Sequence, residues 1–377
     1  MDVPPAQIAE KDLRHWRLLD QFRRRLQPHY DVGAAAQKDP RRQLFADDYF
    51  SLMLFGLFNP ALKSMRALCH ASSRFQKMRE VCSRAVSPAS FSEGQHEFDP
   101  ELLAGMVREL AREARGRAEF GDVRVREAVK SLTAVDGTVL RAVKRMAWCS
   151  VGWNGSAVKL HLHFSVFDQV PEDWTITADK VCERKTFRRK LEAGAFYVAD
   201  RMYGHDYGLL ASLNTHRADF VIRFSDTAVR VPASAQSALS EQDRAAGVVS
   251  DRLEQLGGRG NYPAVRVVEI HSGGRTFLLA TNRQDLPAEL IGLIYRYRWQ
   301  IELFFKWFKT ILGCAHWMAE SPRGVAIQLY LALIASLLLM LATAQRPTKR
   351  QMEAISLYFS GFATEEELLQ ALNLKKS

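Results

Sequence analysis

The spacing of apolar positions is helical over residues 1–125. The helices that it predicts cover residues 13–26, 47–57, 61–70 and 99–115. Asn59 and Pro60 separate the second from the third, since Asn can cap a helix and Pro fits its first turn. Short helices joined by tight turns, with an excess of arginine, are typical of helix–turn–helix modules that bind DNA. A plain helical bundle has the same pattern, so both interpretations stay open at this point.

From residue 123 the chain changes to the alternating pattern of β-strands. Strands are predicted at residues 130–135, 158–167, 174–177, 196–199 and 219–224, with helical stretches near 183–191 and 206–213. An Ala- and Ser-rich stretch at 232–247 predicts a surface loop. Residues 265–270 and 276–280 predict a β-hairpin around the turn His271-Ser-Gly-Gly274. Strands that alternate with helices in this way indicate an α/β fold.

Residues 325–345 form an uncharged stretch that is rich in Leu, Ile and Ala. It is long enough to span a bilayer. Gln328, Tyr330 and Ser336 interrupt it, and it directly follows the polar helical face described below. We therefore predict a buried core helix rather than a membrane span, followed by a polar tail with short helices.

Composition and charge narrow the choice of partner. The chain has 47% hydrophobic and 25% charged residues, as soluble globular proteins do, and its formal net charge is +10. This excess of cations favours a polyanionic partner, nucleic acid before an anionic membrane surface. The five cysteines are scattered without metal-ligand spacing, so neither a disulfide framework nor a zinc site is indicated. His161 and His163 share a strand face but have no third ligand nearby, which favours a covered face over a metal site.

One helical face carries four polar side chains at regular offsets. Tyr295, Arg298, Glu302 and Lys309 fall within about 60° of one another on a helix predicted over residues 285–312. Asp285 is placed to cap its start. Aromatic and aliphatic residues flank the polar face, which suggests a working surface. A solvated stripe held by pairs such as Arg298 with Glu302 explains the spacing equally well.

Two aspartates follow short apolar strands. Asp136 comes after residues 131–135 and stands before a Gly turn, and Asp200 follows residues 196–199 in the same manner. A carboxylate at the end of a buried strand is well placed for a site at the edge of a sheet. Either aspartate alone is common turn chemistry. Two such strands together with a glutamate on a helix are a rarer combination.

Three segments taken together resemble a known family. They are Asp136-Gly-Thr138, Asp200-Arg-Met-Tyr203 and the spacing Tyr295-x2-Arg298-x3-Glu302-x6-Lys309. They are similar to the DDE transposases of bacterial insertion sequences, and the last resembles the YREK motif of the insertion-sequence-4 family. Asp200 is followed by Arg-Met-Tyr, where that family more often has Arg-Gly-Tyr. Residues 50–60 and 64–68 are also similar, so the resemblance covers nearly the whole chain.

The resemblance implies a fold and a domain plan. The expected fold is α/β, with an RNase H-like catalytic core interrupted by a β-rich insertion and preceded by an all-α N-terminal DNA-binding domain. At 377 residues the chain can hold several domains. The boundaries predicted are 1–125 for the N-terminal domain, 126–224 for the first part of the core, 225–283 for the insertion, 284–345 for the helix bearing Glu302 and the buried helix after it, and 346–377 for the tail.

The resemblance also implies the chemistry of the site. Asp136, Asp200 and Glu302 are expected to be catalytic and to hold two Mg²⁺ or Mn²⁺ ions, which prefer carboxylate oxygens and can clamp an in-line phosphoryl displacement. The residues expected to contact DNA are Tyr295, Arg298, Lys309, Lys306, Trp299 and Arg201. Trp299 resembles an aromatic residue that stabilises a flipped base in relatives that form a hairpin at the transposon end. Core packing is the alternative for that side chain.

The expected function is that of a DNA transposase that cuts and joins strands at terminal inverted repeats. Its expected partners are double-stranded DNA of the element ends and of the target, with a homodimer on paired ends and no membrane. The N-terminus has no signal-peptide pattern, which predicts a cytoplasmic protein. The resemblance implies a bacterial protein that is associated with the nucleoid. Two alternatives are a non-catalytic DNA-binding regulator and a metal-dependent nuclease of the same fold.

Overall fold

The chain divides into two compact units. One comprises Met1–Arg117, Leu140–Val158 and Lys306–Ser377, and the other comprises Ala118–Val139 and Lys159–Phe305. The computed structural model describes residues 17–32, 44–59, 61–117, 120–143, 146–149, 156–225, 227–257, 262–311, 313, 317–344 and 348–373. The first four residues of the predicted helix 13–26, and Pro60, lie outside these ranges.

The described residues contain fifteen α-helices and nine β-strands. The helices are α1 Arg17–Val32, α2 Ala46–Phe58, α3 Met65–Arg74, α4 Pro88–Glu97, α5 Glu101–Ala114, α6 Val123–Ala128, α7 Glu183–Arg188, α8 Arg201–Gly204, α9 Tyr207–Thr215, α10 Glu241–Ala245, α11 Ala288–Tyr297, α12 Trp299–Ile311, α13 Pro322–Thr343, α14 Lys349–Phe359 and α15 Glu365–Ala371. The strands are β1 Thr133–Ala142, β2 Ser156–Ser165, β3 Val170–Ala178, β4 Phe196–Ala199, β5 Asp219–Phe224, β6 Arg230–Pro232, β7 Val248–Leu256, β8 Val265–Ser272 and β9 Arg275–Thr281.

All nine strands belong to one mixed sheet, in the order β3-β2-β1-β4-β5-β9-β8-β7-β6. Strands β1, β4 and β5 are parallel neighbours, and β9 joins β5 in the antiparallel sense. The prediction of an α/β fold is confirmed. Strands β6 to β9, which fall in the predicted insertion, continue the same sheet past β5.

The register between β1 and β4 brings two predicted positions together. Val135 on β1 is paired with Ala199 on β4, the last pair of that parallel ladder. Asp136 and Asp200 are the next residues of the two strands. β1 itself continues to Ala142, so the prediction that Asp136 ends its strand is wrong. Asp136 lies instead where β1 stops pairing with β4.

Helix starts in the first unit depend on local side-chain caps. Ser64 accepts a hydrogen bond from the Ala67 N–H, so α3 begins at Met65, later than the predicted start at residue 61. Asn59 ends α2 and does not open the next helix. Ser321 caps α13, with Pro322 in its first turn.

Helix α13 is long and apolar enough to cross a membrane by length and composition alone, but 83% of that stretch is buried. It packs against α2 and α5 within the same compact unit. Its burial agrees with the predicted core helix. A stripe of polar residues is absent because neighbours cover the helix on most sides.

The predicted loop at 232–247 contains part of β6 and the short helix α10. Ser240 and Asp243 form a capping box that starts this helix. Strand β7 follows directly and was not predicted, because its apolar positions are interrupted by three charged side chains. Tertiary pairing with β8 compensates for that weak pattern.

Candidate active site

Asp136 and Asp200 lie side by side where β1 and β4 stop pairing. The parallel pairing of β1 with β4 fixes the two backbones, so the two carboxylates start from neighbouring positions. Asp136 is partly buried and accepts a hydrogen bond from the Gly137 N–H at 2.8 Å. Asp200 caps α8 by accepting from the Met202 N–H at 2.8 Å. Both aspartates therefore have their backbones and one carboxylate oxygen held by local hydrogen bonds.

The electrostatic environment of Asp136 is unfavourable for a lone carboxylate. Burial is the main cause that raises the pKa of Asp136 to about 7, and the nearby carboxylates of Asp200 and Glu183 act in the same direction. The Gly137 N–H and the Arg298 guanidinium act in the opposite direction. Buried carboxylates that repel one another are typical of functional sites.

Arg298 and Glu302 face each other across one helical turn. Their side chains form an ion pair, with 2.7 Å between Arg298 Nη1 and Glu302 Oε1. The sequence left open whether this spacing marks a solvated stripe. Arg298 is largely buried, so a stripe of freely solvated pairs does not describe it.

The predicted single helix over residues 285–312 is two helices, and this prediction is wrong in two respects. Helix α11 ends at Tyr297 and α12 begins at Trp299. At the junction, the Arg298 N–H donates to the Tyr295 carbonyl, an i→i+3 bond that tightens the backbone there. Asp285 does not cap the start, because its carboxylate pairs with Arg283. Asp243 accepts from the Glu289 N–H in its place.

A cleft of about 400 Å³ opens beside Asp200. Its lining combines four arginines with one carboxylate and one phenol: Asp200, Arg201, Arg223, Arg275, Tyr295 and Arg298. Arginine presents a planar fork of donors that matches phosphate oxygens. The cleft therefore has the chemistry of a phosphate-binding surface.

Two of its arginines have a buried nitrogen with donor capacity to spare. Within the described residues, Nε of Arg223 and Nε of Arg298 are buried without a hydrogen-bond partner. The Arg223 guanidinium lies over the Phe277 ring at 4.7 Å, and that of Arg298 lies 5.6 Å from the Tyr295 ring centre. Aromatic faces thus orient both cations while leaving hydrogen-bond donors available.

Sequence reasoning missed Arg223 and Arg275. The signal for Arg223 was a cation inside the apolar strand Asp-Phe-Val-Ile-Arg-Phe of β5, where a charge is costly unless it is used. Arg275 follows the Gly-Gly turn of the predicted hairpin and carried no such signal. Sheet pairing of β5 with β9 brings the two strands together.

The remaining predicted DNA contacts lie at different places. Arg201 is exposed as the first residue of α8 and lines the cleft. Trp299 is 54% exposed, so core packing does not explain it, and it borders a second cavity of about 240 Å³ with Tyr295 and Phe277. Lys306 is exposed and Lys309 partly exposed on the later turns of α12, in the other compact unit.

Hard divalent cations such as Mg²⁺ bind oxygen ligands, above all carboxylates. Asp136 and Asp200 supply carboxylate oxygens at adjacent positions, and their mutual repulsion favours a cation between them. The Glu302 carboxylate is paired with Arg298. Over the ranges described, no three His, Cys, Asp or Glu side chains are gathered closely enough to hold one ion. The two aspartates therefore have the chemistry of a site for a divalent cation.

Two adjacent carboxylates beside a cleft lined by arginines are the groups that a phosphoryl-transfer site requires. The profile of the family described as "Transposase DDE domain" matches residues 127–338, more than half of the chain. The chain belongs to this family.

Individual relatives are consistent with that assignment. The chain is 29% identical over 223 residues to a protein named as a transposase, y4zB, of Sinorhizobium fredii, covering 58% of this chain and 62% of the relative. It is 28% identical over 265 residues to a protein named as the transposase of insertion sequence element IS5377 in Geobacillus stearothermophilus, covering 69% and 67%. The chain thus spans about two thirds of the length of these relatives.

Among solved structures, the piggyBac transposase synaptic complex with hairpin DNA aligns with a TM-score of 0.42 and 9% identity, over 97% of this chain and 84% of that chain. Similarity at this level is too low to establish a common fold.

Proposed function

We propose that the chain is a DNA transposase that cleaves DNA at the terminal inverted repeats of an insertion sequence and joins the ends to target DNA. The observation that carries the proposal is the pair Asp136 and Asp200, placed side by side by the β1–β4 register next to a cleft lined by four arginines. Membership of the transposase DDE domain family supports it.

The finer architecture belongs to the same proposal. The parallel strands β1, β4 and β5 would form an RNase H-like core, and β6 to β9 would be the insertion between Asp200 and Glu302. The helices of the first 125 residues would bind DNA, which the net charge of +10 favours.

Each side chain of the site has a role in this proposal. Asp136 and Asp200 would hold the metal, with Glu302 as a further ligand. Mg²⁺ or Mn²⁺ ions, when bound, would polarise the scissile phosphate and activate the attacking hydroxyl. Arg298 keeps Glu302 oriented through their ion pair and supplies positive charge near Asp136.

The rest of the cleft would hold the DNA strand. Arg201, Arg223 and Arg275 would neutralise backbone phosphates, and the Tyr295 hydroxyl would donate to one of them. Trp299 has the exposure that stacking on a displaced base requires. Lys306 and Lys309 would contribute further phosphate contacts. A homodimer on paired ends would bring two such sites together.

A strand-joining assay separates the three candidate functions. Purified protein is incubated with a labelled oligonucleotide that carries the element's own end, a target plasmid and Mg²⁺. Transfer of label to the plasmid supports the transposase. Cleavage without transfer supports the nuclease, and retention of the oligonucleotide in a gel without cleavage supports the regulator.

A further inference from the structure

Glu183 is a buried carboxylate that no motif indicated. It is the first residue of α7, and only 6% of its side chain is exposed. Carboxylates are seldom buried to this extent unless they are paired. Its partners lie on three other elements, and two of those partners, Gly137 and Tyr203, are close in sequence to the proposed catalytic aspartates.

The first contact is with the residue after Asp136. A methyl group placed on Gly137 would lie 2.7 Å from the carboxyl carbon of Glu183 and 2.9 and 3.0 Å from its oxygens. Such distances are shorter than van der Waals contact allows. The carboxylate of Glu183 therefore lies against the backbone of β1 at Gly137, and a side chain at residue 137 would displace it.

The second contact reaches the segment that follows Asp200. The hydroxyl of Tyr203 donates a hydrogen bond to Glu183 Oε2 at 3.2 Å, and Tyr203 is fully buried on α8. Asp200 caps the same short helix. One carboxylate group thus touches both segments that present the aspartates.

The third contact balances the charge. Lys159 Nζ on β2 lies 2.9 Å from Glu183 Oε1 and 3.1 Å from Asp179 Oδ1. The ammonium group fixes one oxygen of Glu183 while Tyr203 fixes the other. With both oxygens occupied, Glu183 is held in one orientation and is not available as a metal ligand.

We propose that Glu183 is a positioning residue. Because it contacts both Gly137 and Tyr203, it sets the separation of Asp136 and Asp200. The inference rests on the proposed function. Outer-shell partners of metal ligands commonly contribute about 10- to 100-fold in activity or metal affinity. Displacements of about 1 Å at a phosphoryl-transfer site have effects of similar size.

The test compares three variants with a matched control. Glu183→Ala removes the carboxylate, Glu183→Gln keeps its volume and an oxygen that can accept from Tyr203, and Tyr203→Phe deletes only the hydroxyl. Glu254→Gln is the control, since Glu254 is also buried and paired with arginines, on β7. Each protein is assayed for nicking of element-end DNA and for binding of Mn²⁺ by electron paramagnetic resonance, with thermal unfolding to show that it is folded.

We expect Glu183→Ala to lower kcat by about 10- to 100-fold and to weaken Mn²⁺ binding, with KM for DNA within about twofold. Glu183→Gln should recover most of the loss, and Glu254→Gln should leave kcat and Mn²⁺ binding unchanged. Tyr203→Phe should lower kcat by a smaller factor. It should have no further effect in the Glu183→Ala background, because the two act through one contact.

The inference is overturned if Glu183→Ala is folded and keeps its kcat and Mn²⁺ affinity while Asp136→Ala abolishes nicking. It is also overturned if the effects of Glu183→Ala and Tyr203→Phe simply add. If Asp136→Ala itself retains nicking, the proposed function fails, which is a distinguishable result. If Glu183→Ala does not fold, Tyr203→Phe tests the inference by itself. The inference then requires weaker Mn²⁺ binding in Tyr203→Phe, and unchanged binding overturns it.

Discussion

Asp136 and Asp200 are register neighbours: each directly follows the last residue pair, Val135 with Ala199, in the parallel ladder of β1 with β4. The sheet itself therefore sets the distance between the two backbones. Side-chain length must then match that fixed spacing. A site built on strands in this way is more rigid than one built on loops.

Lengthening either aspartate by one methylene group is expected to damage the site. Asp136→Glu and Asp200→Glu keep the charge but move the carboxylate by more than 1 Å, so DNA nicking should fall by about 100-fold with little change in DNA affinity. Single-turnover nicking and gel-shift titration measure the two effects. Asp173→Glu, at a partly exposed position paired with Lys190, is the control. Full activity of both site variants would show that the register is unimportant.

Arg298→Lys is expected to lower nicking although the charge is kept. Lysine cannot reproduce the guanidinium contacts with Glu302 and with the Tyr295 ring. We expect a loss of about 10-fold or more in kcat, from misplacement of Glu302. Arg296→Lys, at an exposed position on α11, should have no effect. Equal activity of the two variants would exclude a specific role of the guanidinium.

Arg223 and Arg275 are expected to contact phosphates. Replacing either by alanine should weaken binding of DNA of any sequence and reduce the slope of log affinity against log salt by about 1. Fluorescence anisotropy at several salt concentrations measures the slope. Arg124→Ala, which removes an exposed arginine paired with Asp122, is the control. An unchanged slope in both cleft variants would remove the cleft from the DNA-binding surface.

A buried ion pair stabilises the segment that leads into α11. The Arg266 guanidinium donates two hydrogen bonds to the Asp251 carboxylate. It also donates to the backbone carbonyls of Arg283 and Leu286. Asp251→Ala leaves the Arg266 charge buried without its partner, so the free energy of unfolding should fall by about 3–5 kcal/mol. Denaturant titration measures this change. A loss below about 1 kcal/mol is the size expected for an exposed pair. Such a loss would contradict the claim that the Arg266 charge depends on a buried partner.

Two buried histidines predict the response of stability to acid. Burial lowers the pKa of His161 and of His163 to about 4. The unfolded chain, with ordinary values near 6.5, therefore binds more protons between about pH 6.5 and 4. The contribution of the two histidines to stability should fall as the pH falls through that window, by up to about 1.4 kcal/mol per pH unit for each histidine. The raised pKa of Asp136 acts in the opposite direction over the same window and offsets part of this loss.

The measurement is the free energy of unfolding from denaturant titrations between pH 7 and pH 4.5. His163→Phe should lower the slope by up to about 1.4 kcal/mol per pH unit, because it removes one of the two titrating rings. The ring contacts with Phe187 and Tyr197 accommodate an aromatic replacement. A slope identical to that of the unmodified protein would assign the acid sensitivity to other groups.

Local sequence patterns predicted several elements well. Strands β4 and β5 match their predicted bounds, because both are short apolar runs flanked by turns, which suits strands buried in a parallel ladder. The β8–β9 hairpin was predicted from its Gly-Gly turn. The aspartates were found because each interrupts an apolar run.

What the sequence did not predict depends on long-range contacts. Glu183 lies 47 positions from Asp136 and 20 from Tyr203, and only the fold brings the three together. The break at Arg298 has no Gly or Pro to mark it and comes from the local i→i+3 bond. The assignment of catalytic and DNA-binding roles to individual residues stays a prediction.

The most direct test of the central claim is nicking of supercoiled DNA that carries the element's own ends, with Mg²⁺ or with EDTA. We compare the unmodified protein with Asp136→Asn and Glu302→Ala, and use Glu353→Gln, at an exposed position on α14, as the control. The account predicts nicking at the ends that requires Mg²⁺, is lost in both site variants and persists in the control. Nicking that survives in Asp136→Asn, or that proceeds equally in EDTA, would contradict it.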